Sequence, residues 1–440
     1  MTPFLRHRLF GFLLLAMAAS VALADDWPQW RGPQRDGVWR ETGLVQRFSA
    51  DRIPHLWKVP LGSGYTGPSV AAGRVYVTDY LDEPAQRERV HCFDANTGRK
   101  IWSHVYDCDY STISYKAGPR ASVLVEKNRA YSLGAVGHLF CLNAADGSVI
   151  WNRDLARSYG IRMPRWGIAA APLVEGNLLI LHIGGKDGAC IVALDKRTGQ
   201  EQWRALDDMA SYSAPIVIDQ AGQRVLVCYV ADRVVGLAAA SGKLLWSYGM
   251  PGSKWPIAIS TPVLHGDQLF VTSAHVGAAL LRLRQDRPAV EPVWRRDGSR
   301  DRSPDTIHAL IPTPLLIDQH IYGIHAQGEL RCLELATGKQ VWEDQSVGPV
   351  TRFATVHLVP NGDRVWMFNE KGELIISRLS PQGFREISRA KLIDPTPKQF
   401  SRREGVTWSH PAFAGRRVYI RNDREMVCAD LGVDAGAGED

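Results

Sequence analysis

Beyond its first two dozen residues the chain has no apolar run long enough to span a bilayer, and no interior window keeps a helical period for long. It has no HExxH, no GxSxG, no Walker loop and no His pair at metal spacing, so hydrolase and zinc readings lack their minimum parts. The seven cysteines are an odd number with no CxxC and no adjacent pair, which excludes a complete intrachain disulfide set. A strong excess of one charge is also missing, because the formal net charge is +6 and charged residues make up 22% of the chain. Basic groups such as Arg295-Arg296 with Arg300 and Arg302, or Arg402-Arg403, therefore read as solvated loop faces, and no nucleic-acid partner is expected. Loop carboxylates such as Asp107, Asp109, Asp301 and Asp305 are likewise read as solvated, so no metal site and no catalytic residue is assigned.

Hydrophobic residues, at 45%, supply a large core. The 440 residues would hold two or three average domains, so internal repetition has to decide how many there are. The first residues carry Arg6 and Arg8, then an apolar run from Leu9 to Ala19, then Ala22-Leu23-Ala24. This order predicts a signal peptide over 1–24, cleaved after Ala24, and a periplasmic or otherwise exported protein with no transmembrane segment in the mature chain. Loss of that segment leaves 50 basic against 46 acidic residues, a mild +4.

Self-comparison gives the strongest signal. Asp94 to Trp102 recurs as Asn143 to Trp151, Asp195 to Trp203, Ala238 to Trp246 and Glu334 to Trp342, each with Gly four residues before Trp. The unit reads as a hairpin: an apolar strand, a turn whose Gly takes a positive φ, then a strand ending in an aromatic plug. A further strand pair lies upstream, for example in Pro68–Val77 and Pro262–Val271. Trp57, Trp102, Trp151, Trp203, Trp246, Trp294 and Trp342 are spaced by 45, 49, 52, 43, 48 and 48 residues, a propeller period. The repeat over 380–387 is degenerate and puts Ile387 where Trp is expected, and Arg287-Pro288-Ala289-Val290 replaces a Gly turn. The last repeat ends without a Trp strand, while His55–Val59 is an outer strand with no partners of its own. The two ends complete one blade, which predicts an all-β, eight-bladed β-propeller of four-stranded antiparallel blades closed by the N-terminal strand. The expected divisions are an N-terminal extension over 25–50, the propeller over 51–431 and a disordered tail over 432–440.

The repeated tryptophans read as packing plugs between blades. Cys92, Cys141, Cys332 and Cys428 share one repeat position and read as small buried hydrophobes, with Cys108 the thiol expected to be accessible. Gly62-Ser63-Gly64-Tyr65-Thr66-Gly67 matches GxGxxG but precedes a strand, not a helix, so it is no phosphate loop. Residues just before each innermost strand ring the channel mouth: Tyr65, Arg120, Arg165, Trp166, Tyr212, Trp255, His308, Arg352 and Trp408. Aromatic and Arg groups converging on a funnel make a candidate site for an anionic or ring-shaped ligand or for a peptide.

The repeat, in forms such as Leu-Asp-x-x-Thr-Gly-x-x-x-Trp, resembles the pyrroloquinoline quinone (PQQ) repeat of eight-bladed propellers. The opening Asp26-Trp27-Pro28-Gln29-Trp30-Arg31-Gly32-Pro33-Gln34-Arg35-Asp36-Gly37 is similar to that of exported bacterial PQQ-binding-like propellers. The resemblance implies two branches. Quinoprotein dehydrogenases hold PQQ between a Trp and a disulfide of adjacent cysteines, with calcium and an Asp base; the adjacent cysteines are missing here. Relatives such as the BamB scaffold of outer-membrane barrel assembly are non-catalytic, and their lipidated Cys is also missing. The expectation is a monomeric binding or assembly scaffold for protein or peptide partners in the cell envelope, with no certain cofactor. A PQQ- and calcium-dependent oxidoreductase of the alcohol or sugar dehydrogenase type is the alternative.

Overall fold

Short apolar strands separated by turns leave each segment with one unpaired edge, and the chain resolves this by pairing neighbours into meanders. A computed structural model describes residues 26–251, 257–298, 305–401 and 403–433. The expected signal peptide, Trp255 and most of the expected tail lie outside the described residues. Among the described residues, 32 strands form eight four-stranded antiparallel sheets and the helix Leu155–Tyr159 spans one turn and a half. The eight-bladed all-β propeller is therefore as the repeat predicted. Blade 1, for example, comprises Ser69–Ala71, Arg74–Leu81, Arg87–Asp94 and Lys100–Asp107. First strands of neighbouring blades touch one another around the central channel, and Trp-bearing fourth strands lie outermost.

Closure follows the predicted route. Ala412–Ala414, Arg417–Arg421 and Glu425–Asp430 supply three strands of blade 8, and Trp57–Pro60 supplies the fourth, with Trp57 opposite Cys428 and Pro60 opposite Glu425. Gly432 and Val433 are not loose: Gly432 bridges Leu44, and the Val433 N–H donates to the Gly43 carbonyl at 2.9 Å.

The Gly-x-x-x-Trp repeat is an interlock between blades. Five of the seven repeat indoles lie on the turn glycine of the next blade: Trp57 on Gly98, Trp102 on Gly147, Trp151 on Gly199, Trp203 on Gly242 and Trp294 on Gly338. A Cβ at any of these glycines would fall 2.5–2.8 Å from the ring, and all five hold φ between 66° and 76°. Both the backbone and the neighbour demand glycine. In four of the five the indole N–H donates to a main-chain carbonyl of the same turn, as from Trp57 to Ala95 at 3.0 Å and from Trp102 to Ala144 at 3.1 Å; the Trp203 indole nitrogen is buried without a partner. The four recurrent cysteines sit opposite Trp102, Trp151, Trp342 and Trp57 across the ladder, buried and free as their repeat position implied.

Two departures from the repeat are resolved by substitution. Trp246 meets no turn glycine of the next blade and packs instead on Gly236, its partner across the ladder of its own blade; its N–H goes to Gln220 Oε1 at 2.8 Å, while the Gln220 amide donates to the carbonyls of Arg284 and Ala289 in the altered turn. In blade 7 the expectation that Ile387 replaces Trp is corrected. The register shift between Ile376 and Ser377 puts Ile387 in the bulge, and Ser388 lies opposite Ile376, where the other blades carry Trp. The missing aromatic comes from elsewhere: Phe48 of the extension meets Trp366 edge-on at 6.1 Å, and its N–H donates to Ser388 Oγ at 3.0 Å.

The extension also closes one end of the channel. Trp27 bridges Val70 of blade 1, the Pro28 carbonyl accepts from Val125 of blade 2, and the Trp39 N–H donates to Pro360 of blade 7. Arg35 donates to the carbonyls of Pro172 and Pro215, just ahead of blades 3 and 4, and Trp30 Nε1 to Thr261 Oγ1 at 3.0 Å, ahead of blade 5. The segment is a plug across the inner strands, and the opposite end stays open as the mouth.

Candidate functional site

The loops that lead into the innermost strands project their side chains over the channel, and most of these are aromatic. They wall a cavity of about 180 Å³ whose base is Trp30. The Trp166 and Tyr212 rings lie 5.0 Å apart, with the Trp166 main-chain N–H donating to the Tyr212 hydroxyl at 3.2 Å. Tyr115 stands edge-on to Trp166. Across the cavity Trp408 stacks on Phe400 at 4.9 Å and donates its indole N–H to Glu370 at 3.1 Å. Tyr115 and Phe353 hold φ of 56° and 70°, a strained setting for aromatic residues that persists only where surrounding contacts impose it. The Tyr115 carbonyl accepts from Arg120, and the Phe353 N–H donates to Ala326 at 2.9 Å.

Polar groups in the wall are few and mostly committed. Arg120 lies 5.0 Å over the Tyr65 ring and spends its guanidinium on the carbonyls of Gly118, Ser114 and Tyr115. Tyr65 donates to the Gln399 carbonyl at 3.0 Å. The exception is the Trp166 indole nitrogen, a buried donor with no hydrogen-bond partner.

Two buried histidines complete the lower wall. Burial drives the His410 imidazole down to about 3, with repulsion from His357 adding to it, and burial holds His357 at about 4. Both are neutral near pH 7. His410 Nε2 accepts from the Gly67 N–H at 3.2 Å, which assigns its proton to Nδ1, and it also accepts from the Ser122 hydroxyl at 2.7 Å. A Ser–His contact invites a nucleophile reading, yet a base with a pKa near 3 is far too weak to take a serine proton at neutral pH, and Trp30 packs edge-on to its ring at 4.6 Å. The pair is part of the wall.

Of the sequence-predicted ring, Tyr65, Arg120, Trp166, Tyr212 and Trp408 come together in the cavity wall. Arg165 and Arg352 are exposed and outside it; Arg352 rides over the Phe353 ring at 4.7 Å. His308 is fully buried away from the cavity, its N–H donating to His325 Nδ1 at 3.2 Å with the two rings 5.4 Å apart. The loop before blade 6 instead packs the His308 ring against Gly298 and beside His325. The predicted ring also missed Trp30, Tyr115, Phe353, His357 and His410. A strained aromatic has no sequence signature, and Trp30 lies in a segment without repeats, although its motif neighbours marked it as unusual.

Glycines of the GxGxxG string sit in close packing contacts. A Cβ at Gly62 would meet the Tyr80 carbonyl at 2.5 Å, and one at Gly67 the His410 carbonyl at 2.2 Å.

A family model described as outer membrane protein assembly factor BamB, built on the PQQ repeat, matches residues 86–344. The chain belongs to this family. Among its curated relatives, the BamB protein of Moranella endobia is 22% identical over 280 residues, covering 61% of this chain and 68% of that one. The quinohemoprotein alcohol dehydrogenase of Comamonas testosteroni is 29% identical over 195 residues, 42% of this chain and 26% of the enzyme, so the chain spans about a quarter of it. The crystal structure of BamB from Moraxella catarrhalis superposes with a TM-score of 0.59 at 16% identity, covering 88% of this chain and 99% of that one, which shows a shared fold. Other BamB relatives are matched over 52% to 60% of their length.

The BamB family's link to quinoproteins raises PQQ with calcium as a group to test against the wall. Calcium takes six to eight oxygen ligands, and the residues lining the cavity include no carboxylate. PQQ is polyanionic, and the wall's one guanidinium, on Arg120, is already bonded to three carbonyls. A space of about 180 Å³ is also below the roughly 300 Å³ at which cofactor-sized pockets begin. The residues lining this cavity do not fit PQQ and calcium.

Proposed function

We propose that this protein is a binding scaffold of the cell envelope whose channel mouth seats an apolar, aromatic-bearing segment of a protein partner. The observation that carries the reading is the blind aromatic cavity with an unpaired indole donor at Trp166. Stacked rings offer apolar area at low entropic cost, and a lone buried donor selects a segment that brings a carbonyl with it. Such a site binds and orients; it holds no group poised to move a proton. The relatives named as assembly factors support a scaffold role, and the expected signal peptide supports its location.

Two measurements test the proposal. Pull-downs from the exported fraction with the full protein should recover a discrete partner that Trp408→Ala and Trp166→Ala reduce at least tenfold, since losing a buried aromatic anchor costs about 2 kcal/mol or more at an interface. No partner above background, or a partner retained equally by both variants, overturns the reading. Titration with PQQ and calcium should leave the quinone unbound at micromolar concentration. Stoichiometric retention would restore the oxidoreductase alternative.

A further inference from the structure

Below the cavity the plug brings two arginines, Arg31 and Arg35, to the closed end of the channel. Both hold a left-handed backbone, with φ of 63° and 57°, so the tight loop that presents them is imposed and not merely tolerated. They face a groove of about 570 Å³ between residues 29–38 and the first strands of blades 3 to 6. Arg35 spends its Nη groups on Gln29 and on the carbonyls of Ala171, Pro172 and Pro215, while its Nε is buried without a partner. Arg31 donates Nε to the Arg35 carbonyl and Nη2 to the Asp36 carbonyl, and its Nη1 makes no hydrogen bond among the described residues.

Neither guanidinium has a carboxylate in salt-bridge contact among the described residues. The acids nearby are taken: Asp36 pairs with Arg40, and Glu175 with Arg224. Burial lowers Arg35 to about 9, with repulsion from Arg31 adding to it, and burial lowers Arg31 to about 10 against the pull of Asp36. The positive field reaches into the cavity, where Arg31 also disfavours protonation of His357. Two partly buried cations without a carboxylate in contact are costly, and an oxyanion in the groove would relieve that cost.

We infer that the groove at the plugged end of the channel is a binding site for a small polyvalent oxyanion, bonded directly by Arg31 and held by the added field of Arg35. Guanidinium nitrogens match the oxygens of phosphoryl and carboxylate groups, and Arg31 keeps one nitrogen free for such a bond. This site is separate from the mouth and stands or falls without it.

Inorganic phosphate is the probe. On the full protein, 10 mM phosphate should raise the thermal midpoint by about one degree or more over chloride of equal ionic strength, because a ligand that binds only the folded state stabilises it. Arg31→Gln should abolish that rise. Where the variant fails to fold, the unmodified protein gives the answer: phosphate should slow phenylglyoxal modification of Arg31 several-fold, mapped by peptide mass, and leave Arg99 in its exposed turn unaffected. No rise beyond chloride, a rise retained in Arg31→Gln, or no protection of Arg31 overturns the inference.

Discussion

The interlock between Trp102 and Gly147 can be measured as a coupling energy. In Gly147→Ala the new methyl has two separate costs. The first is local: φ of 76° suits glycine, and an alanine there costs about 1 kcal/mol. The second belongs to the neighbouring blade, because the Cβ would lie 2.6 Å from Trp102 Cε3. Restoring an ordinary contact needs the indole to retreat by roughly 1 Å, at about 1–3 kcal/mol of overpacking. That retreat also pulls on the 3.1 Å bond from Trp102 to the Ala144 carbonyl, worth about 1 kcal/mol. The substitution should therefore cost about 3–5 kcal/mol in the intact protein and only about 1 kcal/mol in a Trp102→Ala background, a coupling of about 2 kcal/mol or more. Trp102→Ala alone should cost about 3–5 kcal/mol. Urea midpoints for the four proteins supply the cycle. Gly73→Ala is the control, since φ there is 72° but no atom lies within 4 Å of the added Cβ, so it should cost about 1 kcal/mol in either background. A Gly147→Ala cost that is the same with and without Trp102 would refute the interlock.

Stability should fall as pH drops below the range where free histidine titrates. Burial depresses His182 to about 4, His357 to about 4 and His410 to about 3, so the unfolded chain binds protons first and the neutral forms favour the fold above pH 6.5. Lowering the pH from 7.5 to 5 should cost about 2 kcal/mol for each histidine, and urea midpoints that stay flat over this interval would contradict their burial as neutral groups. Cys108 should be the first thiol alkylated in the native protein, being the one cysteine not fully buried, yet slowly: burial, with the Glu88 charge adding, pushes its thiol up to about 12. Iodoacetamide at pH 7.5 should label it orders of magnitude more slowly than free cysteine, and rapid labelling would show the thiol to be open to solvent.

The blade count, closure by Trp57–Pro60 and the small cysteines were legible because each depends on a local pattern repeated at a fixed period. Gly-x-x-x-Trp can be read in nine residues, and the strand alternation around it in twenty. The ring at the mouth was half legible. Position before an inner strand picked out Tyr65, Arg120, Trp166, Tyr212 and Trp408, which line the cavity, but that rule contains no loop conformation, so it also picked His308, which is buried outside the cavity wall.

What the sequence by itself determined is the repeat, and with it the number of sheets, their order and the residues that lock them. Tertiary structure alone decided what the non-repeating segments do. Trp30 forms the cavity base through a partner 231 residues away, Phe48 fills the row that blade 7 leaves empty at Ser388, and Arg31 and Arg35 meet the channel wall from inside. Those contacts join segments with no shared period, so only the closed ring brings them within bonding distance.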